Sequence, residues 1–221
     1  MEKVIIYGTG DMAEIAHYFL QNDSKHIIVA FCIEDNKYKP GIFFKGLPIV
    51  SFETVEKIYP IDEFGFFAPI SSEKMNTIRE SVYNKIKSKG YQLINYISSK
   101  AITSNATFGD NCFILAGNIL QPFTSIGNNV MLWSSSLVAH HSVVKDHVTF
   151  ASHVALAARC SVGENSFLGT NSTIRNRTIL AKGTLVGLGT TITKNTEEWG
   201  VYIGNPAKKI GNRISKSILK I

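Results

Sequence analysis

A six-residue rhythm dominates the second half of the chain. From Ile102 to Ile192, every sixth residue is aliphatic or phenylalanine without exception. An α-helix repeats every 3.6 residues and an amphipathic strand every two, so neither produces this pattern. A short fixed repeat of this length indicates stacked units, and a hexapeptide repeat is typical of a parallel β-helix. With three hexapeptides per turn, residues ~18 apart should stack, giving about five coils.

The residue four places after each repeat start is also restricted. It is small or β-branched throughout, with one polar exception at Asn118. We expect the start residue to point inward and the residue four later to fill the corner of the coil. Cys112 and Cys160 occupy such corner-filling positions and should act as small apolar fillers. Three scattered cysteines are too few for a disulfide framework or a zinc site, so no metal is predicted.

The first part of the chain has a different organisation. Hydrophobic runs that alternate with amphipathic stretches predict a small Rossmann-like parallel sheet with helices, an α/β domain over residues 1–95. The predicted strands are Val4–Tyr7, Ile27–Ile33, Phe64–Ile70 and Tyr91–Ile94, and the predicted helices are Asp11–Leu20, Phe52–Ile58 and Glu73–Lys89. The β-helix domain is assigned to residues 96–194. A C-terminal cap or tail follows over 195–221, with a capping helix expected at Ile210–Leu219.

Composition narrows the function classes. The net charge of +6 suits phosphate-bearing small molecules as well as nucleic acid, but no recognised nucleic-acid reader motif occurs, so no nucleic-acid partner is predicted. No apolar run is long enough to span a bilayer and no leader precedes the first strand, so we expect a cytoplasmic protein without a membrane partner.

Four histidines fall at outward positions of the repeat: His140, His141, His147 and His153. The last three share one slot of the hexapeptide, so they should lie on successive corners and not form a single metal site. His140 should stack under Ala158. For His147, a surface turn is the expected environment.

Three motifs together carry a family resemblance: the Gly8-Thr9-Gly10-Asp11-Met12-Ala13 turn after the first strand, the unbroken repeat, and the Gly204-Asn205-Pro206-Ala207-Lys208 tail. With these, nearly the whole chain resembles the hexapeptide-repeat sugar acyltransferases. It looks most like the branch of sialic-acid O-acetyltransferases and nucleotide-linked amino-sugar N-acetyltransferases. The resemblance implies a left-handed β-helix, a homotrimer and a role in polysaccharide or glycan synthesis.

The resemblance also implies site residues. The catalytic positions would be His140, as general base, and His141, which stands where relatives often carry an acidic residue. Acetyl-CoA, the implied co-substrate, would lie along the later coils in a groove between subunits, contacted by Ala158, Thr170, Leu188, Lys194 and Lys208, with Lys209 a further candidate. The nucleotide-linked amino sugar, expected to be a 4-amino-4,6-dideoxy sugar, would contact Gly10, Asp11, Met12, Glu34 and Asp35, and less directly Ile70 and Ser71.

Alternatives remain at this level. Amine and hydroxyl acceptors need a similarly placed base, so O-acetylation of a sugar such as sialic acid is equally compatible. A non-catalytic hexapeptide protein, either a scaffold or a metal-binding trimer, is a different class. The turn at Gly8–Gly10 alone would also suit a redox Rossmann enzyme. A histidine that some relatives use to contact the acetyl group is Thr149 here, and His153 could replace it.

Overall fold

The computed structural model describes residues 2–210 and residue 215. Its N-terminal unit is a five-stranded sheet with strand order β3-β4-β2-β1-β5, parallel except for the β3–β4 hairpin. The elements are β1 (Lys3–Tyr7), α1 (Asp11–Asn22), β2 (Ile27–Ile33), β3 (Phe43–Phe44), β4 (Leu47–Ser51), β5 (Phe64–Phe67) and α2 (Thr77–Ser88), with short 3₁₀ turns at Asp35–Lys37 and Val55–Lys57. The predicted Rossmann-like sheet is confirmed.

Several predicted boundaries were wrong. The helix expected over Phe52–Ile58 is only the second 3₁₀ turn, and the strand expected over Tyr91–Ile94 is a single bridge from Leu93 to Phe66. The third predicted strand ends at Phe67, and α2 begins at Thr77 rather than Glu73. The reason for the late start is tertiary: three left-handed residues, Lys74 to Asn76, place Met75 in a buried contact with Leu185 and Val201.

The hexapeptide part forms the predicted parallel β-helix of two-residue strands. These are β6 (Tyr96–Ile97), β7 (Thr107–Phe108), β8 (Phe113–Ile114), β9 (Ile119–Leu120), β10 (Ser125–Ile126), β11 (Met131–Leu132), β12 (Leu137–Val138), β13 (Val143–Val144), β14 (Thr149–Phe150), β15 (Ala155–Leu156), β16 (Ser161–Val162), β17 (Phe167–Leu168), β18 (Thr173–Ile174), β19 (Ile179–Leu180), β20 (Leu185–Val186) and β21 (Thr191–Ile192). Strand pairs join residues 18 apart, such as Leu137 with Ala155.

The strands form three faces of a prism. The docked face contains β6, β8, β11, β14, β17 and β20, the second face β9 to β21 in steps of three, and the third face β7 to β19 in steps of three. Three corners separate the faces. We call them the outer corner, which carries His140 and His141 between the second and third faces; the α2 corner, which carries His147; and the His153 corner. Successive turns at each corner use left-handed residues, including His141, His147 and His153.

The interior follows the repeat. From Ile114 to Ile192 every start residue is at most 2 % exposed, and the corner-filling residues are buried as well. Asn118 is a polar residue at a buried position. Its burial is tolerated because its amide nitrogen donates to the carbonyls of Leu115, Leu132 and Trp133. Ile102 is the exception to the inward rule. It is 58 % exposed because it belongs to the first, open turn and makes only an isolated bridge to Ile119.

The N-terminal unit packs on the docked face. Phe113, Leu115 and Met131 of that face share one apolar core with α1 and the sheet. At the end of α1, the Asp23 carboxylate accepts hydrogen bonds from the Tyr96 hydroxyl at 2.9 Å and from Ser98 and the Ser99 N–H at 3.0 Å. The two parts are therefore joined by both apolar and charged contacts.

The tail closes the far end of the prism. After β21, β22 (Val201–Ile203) pairs with β20 in parallel and with β23 (Lys208–Lys209) in antiparallel fashion. The capping helix predicted for Ile210–Leu219 lies almost entirely outside the described residues. Among residues 2–210 and 215, no helix is long and apolar enough to cross a membrane.

Candidate active site

Two adjacent imidazoles form the centre of the outer corner. The Nδ1 atoms of His140 and His141 are 3.0 Å apart, and both side chains are exposed. Their rings meet edge to face, with centroids 5.2 Å apart. Loss of hydration, followed by the charges of Arg159 and His140, lowers the pKa of His141. A neutral imidazole with an outward lone pair can act as a general base near pH 7.

The preceding coil supports this pair. The His140 N–H donates to Gln121 Oε1 at 3.0 Å, and the Phe123 ring packs against the His141 ring with centroids 4.7 Å apart. The following coil contributes Arg159, whose N–H donates to the His140 carbonyl at 3.0 Å. Sequence reasoning did not identify these three residues as site residues. The sequence could have identified two of them, because Phe123 and Arg159 lie 18 residues to either side of His141 and so stack on it in the coil.

Ala158 lies where the repeat predicted, one coil beyond His140. Neighbouring parallel strands are about 4.8 Å apart, so its backbone lies roughly that far from His140. Within the described part of the chain its N–H donates to no other residue, while its carbonyl accepts the Arg177 N–H at 2.9 Å. A backbone N–H at this place could stabilise a developing oxyanion near the imidazole pair.

The remaining residues proposed for the co-substrate are distributed over two corners. Thr170 and the 82 % exposed Leu188 stack at the His153 corner, where the Gly189 N–H donates to the Thr170 carbonyl at 2.8 Å. Lys194 follows β21 in the column of His140, three coils on, or about 14 Å away at the usual strand spacing. All of these side chains are exposed.

The two tail lysines differ from each other. Lys208 is exposed, and no ion pair to it is found among the described residues. Lys209 forms an ion pair with Glu197 at 2.6 Å, which raises the pKa of Lys209 and compensates its positive charge. Lys208 is therefore the better candidate for a phosphate contact.

A cavity of 590 Å³ opens at the carboxyl ends of β1 and β5. Gly10, Asp11 and Met12 line it, and so do Ile70 and Ser71 after β5, together with Tyr7, Gly8, Ala13 and Pro69. Gly10 is the N-cap of α1, and the first backbone N–H groups of a helix are unpaired donors with a positive dipole end. Such an edge of a parallel sheet suits a nucleotide phosphate.

Glu34 and Asp35 follow β2 at the same sheet edge but do not line the cavity. The Tyr7 hydroxyl donates to Glu34 Oε1 at 2.7 Å and Lys85 binds the same oxygen at 2.8 Å. Lys85 and then Tyr7 hold the pKa of the Glu34 carboxyl below its usual value. Asp35 accepts a hydrogen bond from the Ser51 hydroxyl. Tyr7 thus connects Glu34 to the cavity, a link that the sequence did not suggest.

The other two repeat histidines are not part of the outer corner. His147 was expected at a surface turn, but it is only 8 % exposed because α2 covers its corner. His153 is exposed at a third corner, so it does not share a corner with His140. Thr149 is fully buried and hydrogen-bonded to Ser72 and Asn76, which removes it from any site. The described residues contain no group of three or more His, Cys, Asp or Glu that could hold a metal.

Within one chain, the cavity and the histidine pair lie apart. The cavity belongs to the unit that packs on the docked face, whereas His140 lies at the corner opposite that face. The resemblance assigned both groups to one reaction, with the co-substrate in a groove between subunits. The fold of a single chain does not bring them together.

Comparison with known proteins supports the fold. No protein-family model matches the chain. A mutant perosamine N-acetyltransferase from Caulobacter crescentus, solved with CoA and GDP-perosamine, superposes with a TM-score of 0.84 at 23% identity, covering 95% of this chain and 97% of that one. The acetyltransferase domain of PglB from Neisseria gonorrhoeae FA1090, solved with acetyl coenzyme A, superposes with a TM-score of 0.82 at 20% identity, covering 95% of this chain and 99% of that one.

A third structure, WeeI from Acinetobacter baumannii AYE, gives a TM-score of 0.71 at 23% identity over 94% of this chain and 99% of that one. In all three cases the similarity spans both the N-terminal sheet and the β-helix. The resemblance to hexapeptide-repeat sugar acetyltransferases is therefore confirmed at the level of the fold.

Proposed function

We propose that this chain is an acetyl-CoA-dependent N-acetyltransferase that acts on a nucleotide-linked amino sugar. The observation that carries the proposal is the outer corner. An exposed imidazole pair lies there one coil below the Ala158 N–H, which has no acceptor among the described residues. The neighbours solved with CoA, acetyl coenzyme A and GDP-perosamine support the same pair of substrates. A 4-amino-4,6-dideoxy sugar is the proposed acceptor.

The reaction follows from this arrangement. His140 Nε2 takes a proton from the sugar amine while the amine nitrogen attacks the thioester carbonyl carbon. The Ala158 N–H donates to the oxygen that becomes negative in the tetrahedral intermediate. The C–S bond then breaks, and the CoA thiolate takes the proton back from the His140 imidazolium. No acyl-enzyme is needed, so direct transfer is the simplest mechanism.

The two substrates would be held by separate parts of the chain. The N–H groups at Gly10, Asp11 and Met12 would bind the nucleotide phosphates, with Glu34 and Asp35 at the ribose or base. Ala158, Thr170 and Leu188 would contact CoA along the coils. Lys194 and Lys208 would bind its phosphates.

We infer a homotrimer from the distribution of these groups. The nucleotide cavity and His140 lie on opposite sides of the prism in one chain, and so one chain does not supply a complete site. A neighbouring copy that presents its N-terminal unit to the outer corner would supply the missing half. We also propose a cytoplasmic location, since activated sugars and CoA are both used in the cytoplasm, and a role in surface-glycan synthesis.

Replacement of His140 with Ala tests the catalytic assignment. Loss of a general base should lower kcat by about 10²- to 10⁴-fold while the oligomer, measured by light scattering, stays unchanged. Assays should follow CoA release with UDP-, GDP- and dTDP-linked 4-amino sugars, and with sialic acid as the hydroxyl acceptor. Full activity of the Ala variant would refute His140 as base. Acetylation of sialic acid alone would select the O-acetyltransferase alternative, and no transfer to any acceptor would count against an acyltransferase.

A further inference from the structure

The contact between the two outer-corner histidines has a definite polarity. A neutral imidazole carries one N–H and one lone pair, so two Nδ1 atoms 3.0 Å apart require one donor and one acceptor. We propose that His141 accepts the Nδ1–H of His140 and thereby orients it, and that Phe123 holds His141 in place. This proposal rests on the function proposed above. His141 and Phe123 are thus positioning residues, and of these three side chains only that of His140 touches the reacting atoms.

The surroundings of His141 indicate which ring donates. Loss of hydration is the largest cause that lowers the pKa of His141, and the charge of Arg159, one coil further on in the same column, acts in the same direction, so a further proton is disfavoured on that ring. The ring that gains the proton during the reaction is then His140. Its Nε2 must carry the lone pair, which places its hydrogen on Nδ1, facing His141. This tautomer is the one that a general base at the surface of the corner requires.

Phe123 is an unusual residue for its position. Its side chain is 72 % exposed and its φ is +67°, a conformation that is disfavoured for a bulky side chain. Neither core burial nor backbone preference accounts for an aromatic residue there. Its ring lies 4.7 Å from the His141 ring with the planes tilted by 39°. Such a contact restricts the imidazole, which is otherwise exposed on an outer turn.

A neutral acceptor differs from a carboxylate in its effect on the base. A carboxylate beside an imidazole stabilises the imidazolium by charge and raises its pKa, whereas a neutral imidazole only accepts the hydrogen bond. His141 should therefore orient His140 without supplying the charge stabilisation of an imidazolium that a carboxylate at position 141 would add. Activity should consequently persist to lower pH than in a variant with an acidic residue at position 141.

The experiment compares four variants with one control. His141→Leu removes the acceptor, His141→Asp supplies a carboxylate, Phe123→Ala removes the stacking ring, and Phe123→Tyr restores it. Asn105→Leu is the matched control, because Asn105 is a left-handed, exposed residue of the same column, two coils before His141. It carries the same backbone penalty without touching either histidine.

Kinetics should separate positioning from stability. We expect His141→Leu to lower kcat about 10- to 100-fold with KM changed less than about threefold. Phe123→Ala should lower kcat several-fold, with recovery in Phe123→Tyr and no change in Asn105→Leu. His141→Asp should retain activity and move the acid limb of the kcat/KM profile to higher pH. Unchanged kcat in His141→Leu, or an unmoved acid limb in His141→Asp, would overturn the proposal.

A second readout does not depend on activity. Nitrogen-15 NMR of labelled histidine reports which ring nitrogen carries hydrogen, and His140 should be an Nδ1–H tautomer in the unmodified protein. An Nε2–H tautomer of His140 would overturn the proposal even if acetyl transfer is confirmed. Conversely, absence of acetyl transfer with an intact Nδ1–H signal would refute the function and not the hydrogen bond. Dissociation of the oligomer by Phe123→Ala would assign Phe123 to subunit contact instead.

Discussion

His147 should make the contact between the two parts of the chain sensitive to pH. At the α2 corner, the Asn111 side chain is fixed by the backbone of Ala68, and its amide nitrogen donates to Asn129 Oδ1 at 2.7 Å. The Asn129 amide nitrogen therefore faces His147 Nδ1, at 2.9 Å, as a donor. His147 must accept this bond and can do so only while it is neutral.

Burial is the largest cause that lowers the pKa of His147, and the Arg79 guanidinium acts in the same direction. The carboxylates of Glu80, Asp146 and Glu164 oppose it but do not reverse the shift. Arg79 itself donates to the His147 carbonyl at 3.1 Å from a fully buried position. Because the folded pKa lies below the unfolded value of about 6.5, the stabilisation is complete above pH 6.5 and is lost as the pH falls towards the folded pKa.

The size of the effect follows from linkage. One proton per molecule taken up on unfolding costs at most about 1.4 kcal/mol per pH unit, so up to about 1.4 kcal/mol is lost between pH 6.5 and 5.5. Urea unfolding of the unmodified protein and of His147→Asn, at fixed protein concentration, should show this difference. Asparagine keeps the acceptor for Asn129 and tolerates the left-handed φ of +61°. Its free energy of unfolding should therefore fall less with acidification.

His153→Asn makes the same replacement at an exposed left-handed position and controls for the substitution itself. The slope of unfolding free energy against pH should change in His147→Asn and remain unchanged in His153→Asn. If the unmodified protein and His147→Asn differ by the same amount at pH 7.5 and pH 5.5, the argument from a buried neutral imidazole is refuted.

Three further predictions concern stability and co-substrate binding. Hydrogen bonds, first from Ser99, hold the pKa of the Asp23 carboxyl at about 2, so its contribution is present above pH 4 and lost as the pH falls to 2. Because solvent screens this carboxylate, Asp23→Ala should lower the free energy of unfolding by only about 0.5–1.5 kcal/mol at pH 7, measured by urea unfolding, and an unchanged value would contradict this. Gly183→Ala would make a Cβ collide with the Trp199 ring at φ +67° and should lower the thermal midpoint of unfolding. Gly189→Ala, where the added Cβ would meet open space at φ +63°, controls for the cost of the backbone conformation. Lys194→Gln should raise KM for acetyl-CoA about three- to tenfold at low salt and leave kcat unchanged. The increase in KM should be smaller at high salt, because salt screens an exposed charge contact. An equal increase at both salt concentrations would exclude a charge contact.

Much of the fold could be predicted because the repeat is a local property. The repeat predicts that every sixth residue points inward, and from Ile114 to Ile192 all of these residues do. The same register located His140 under Ala158 and separated the other histidines by corner. In contrast, the boundaries of α2 and the last strand of the sheet depended on contacts with distant residues. Met75, for example, leaves the helix because it packs against Leu185 and Val201.

The candidate site, too, was determined partly by the sequence and partly by the tertiary structure. Sequence alone determined which residues share a column, since strand register fixes an 18-residue spacing. Only the tertiary structure decided which face the N-terminal unit covers, because that depends on the apolar residues Phe113, Leu115 and Met131 pointing outward on one face. That choice buries His147 and leaves His141 exposed at the outer corner, although the two occupy the same slot of the repeat. The six-residue period is a property of the local sequence, whereas the burial of a side chain depends on which other part of the chain packs against it.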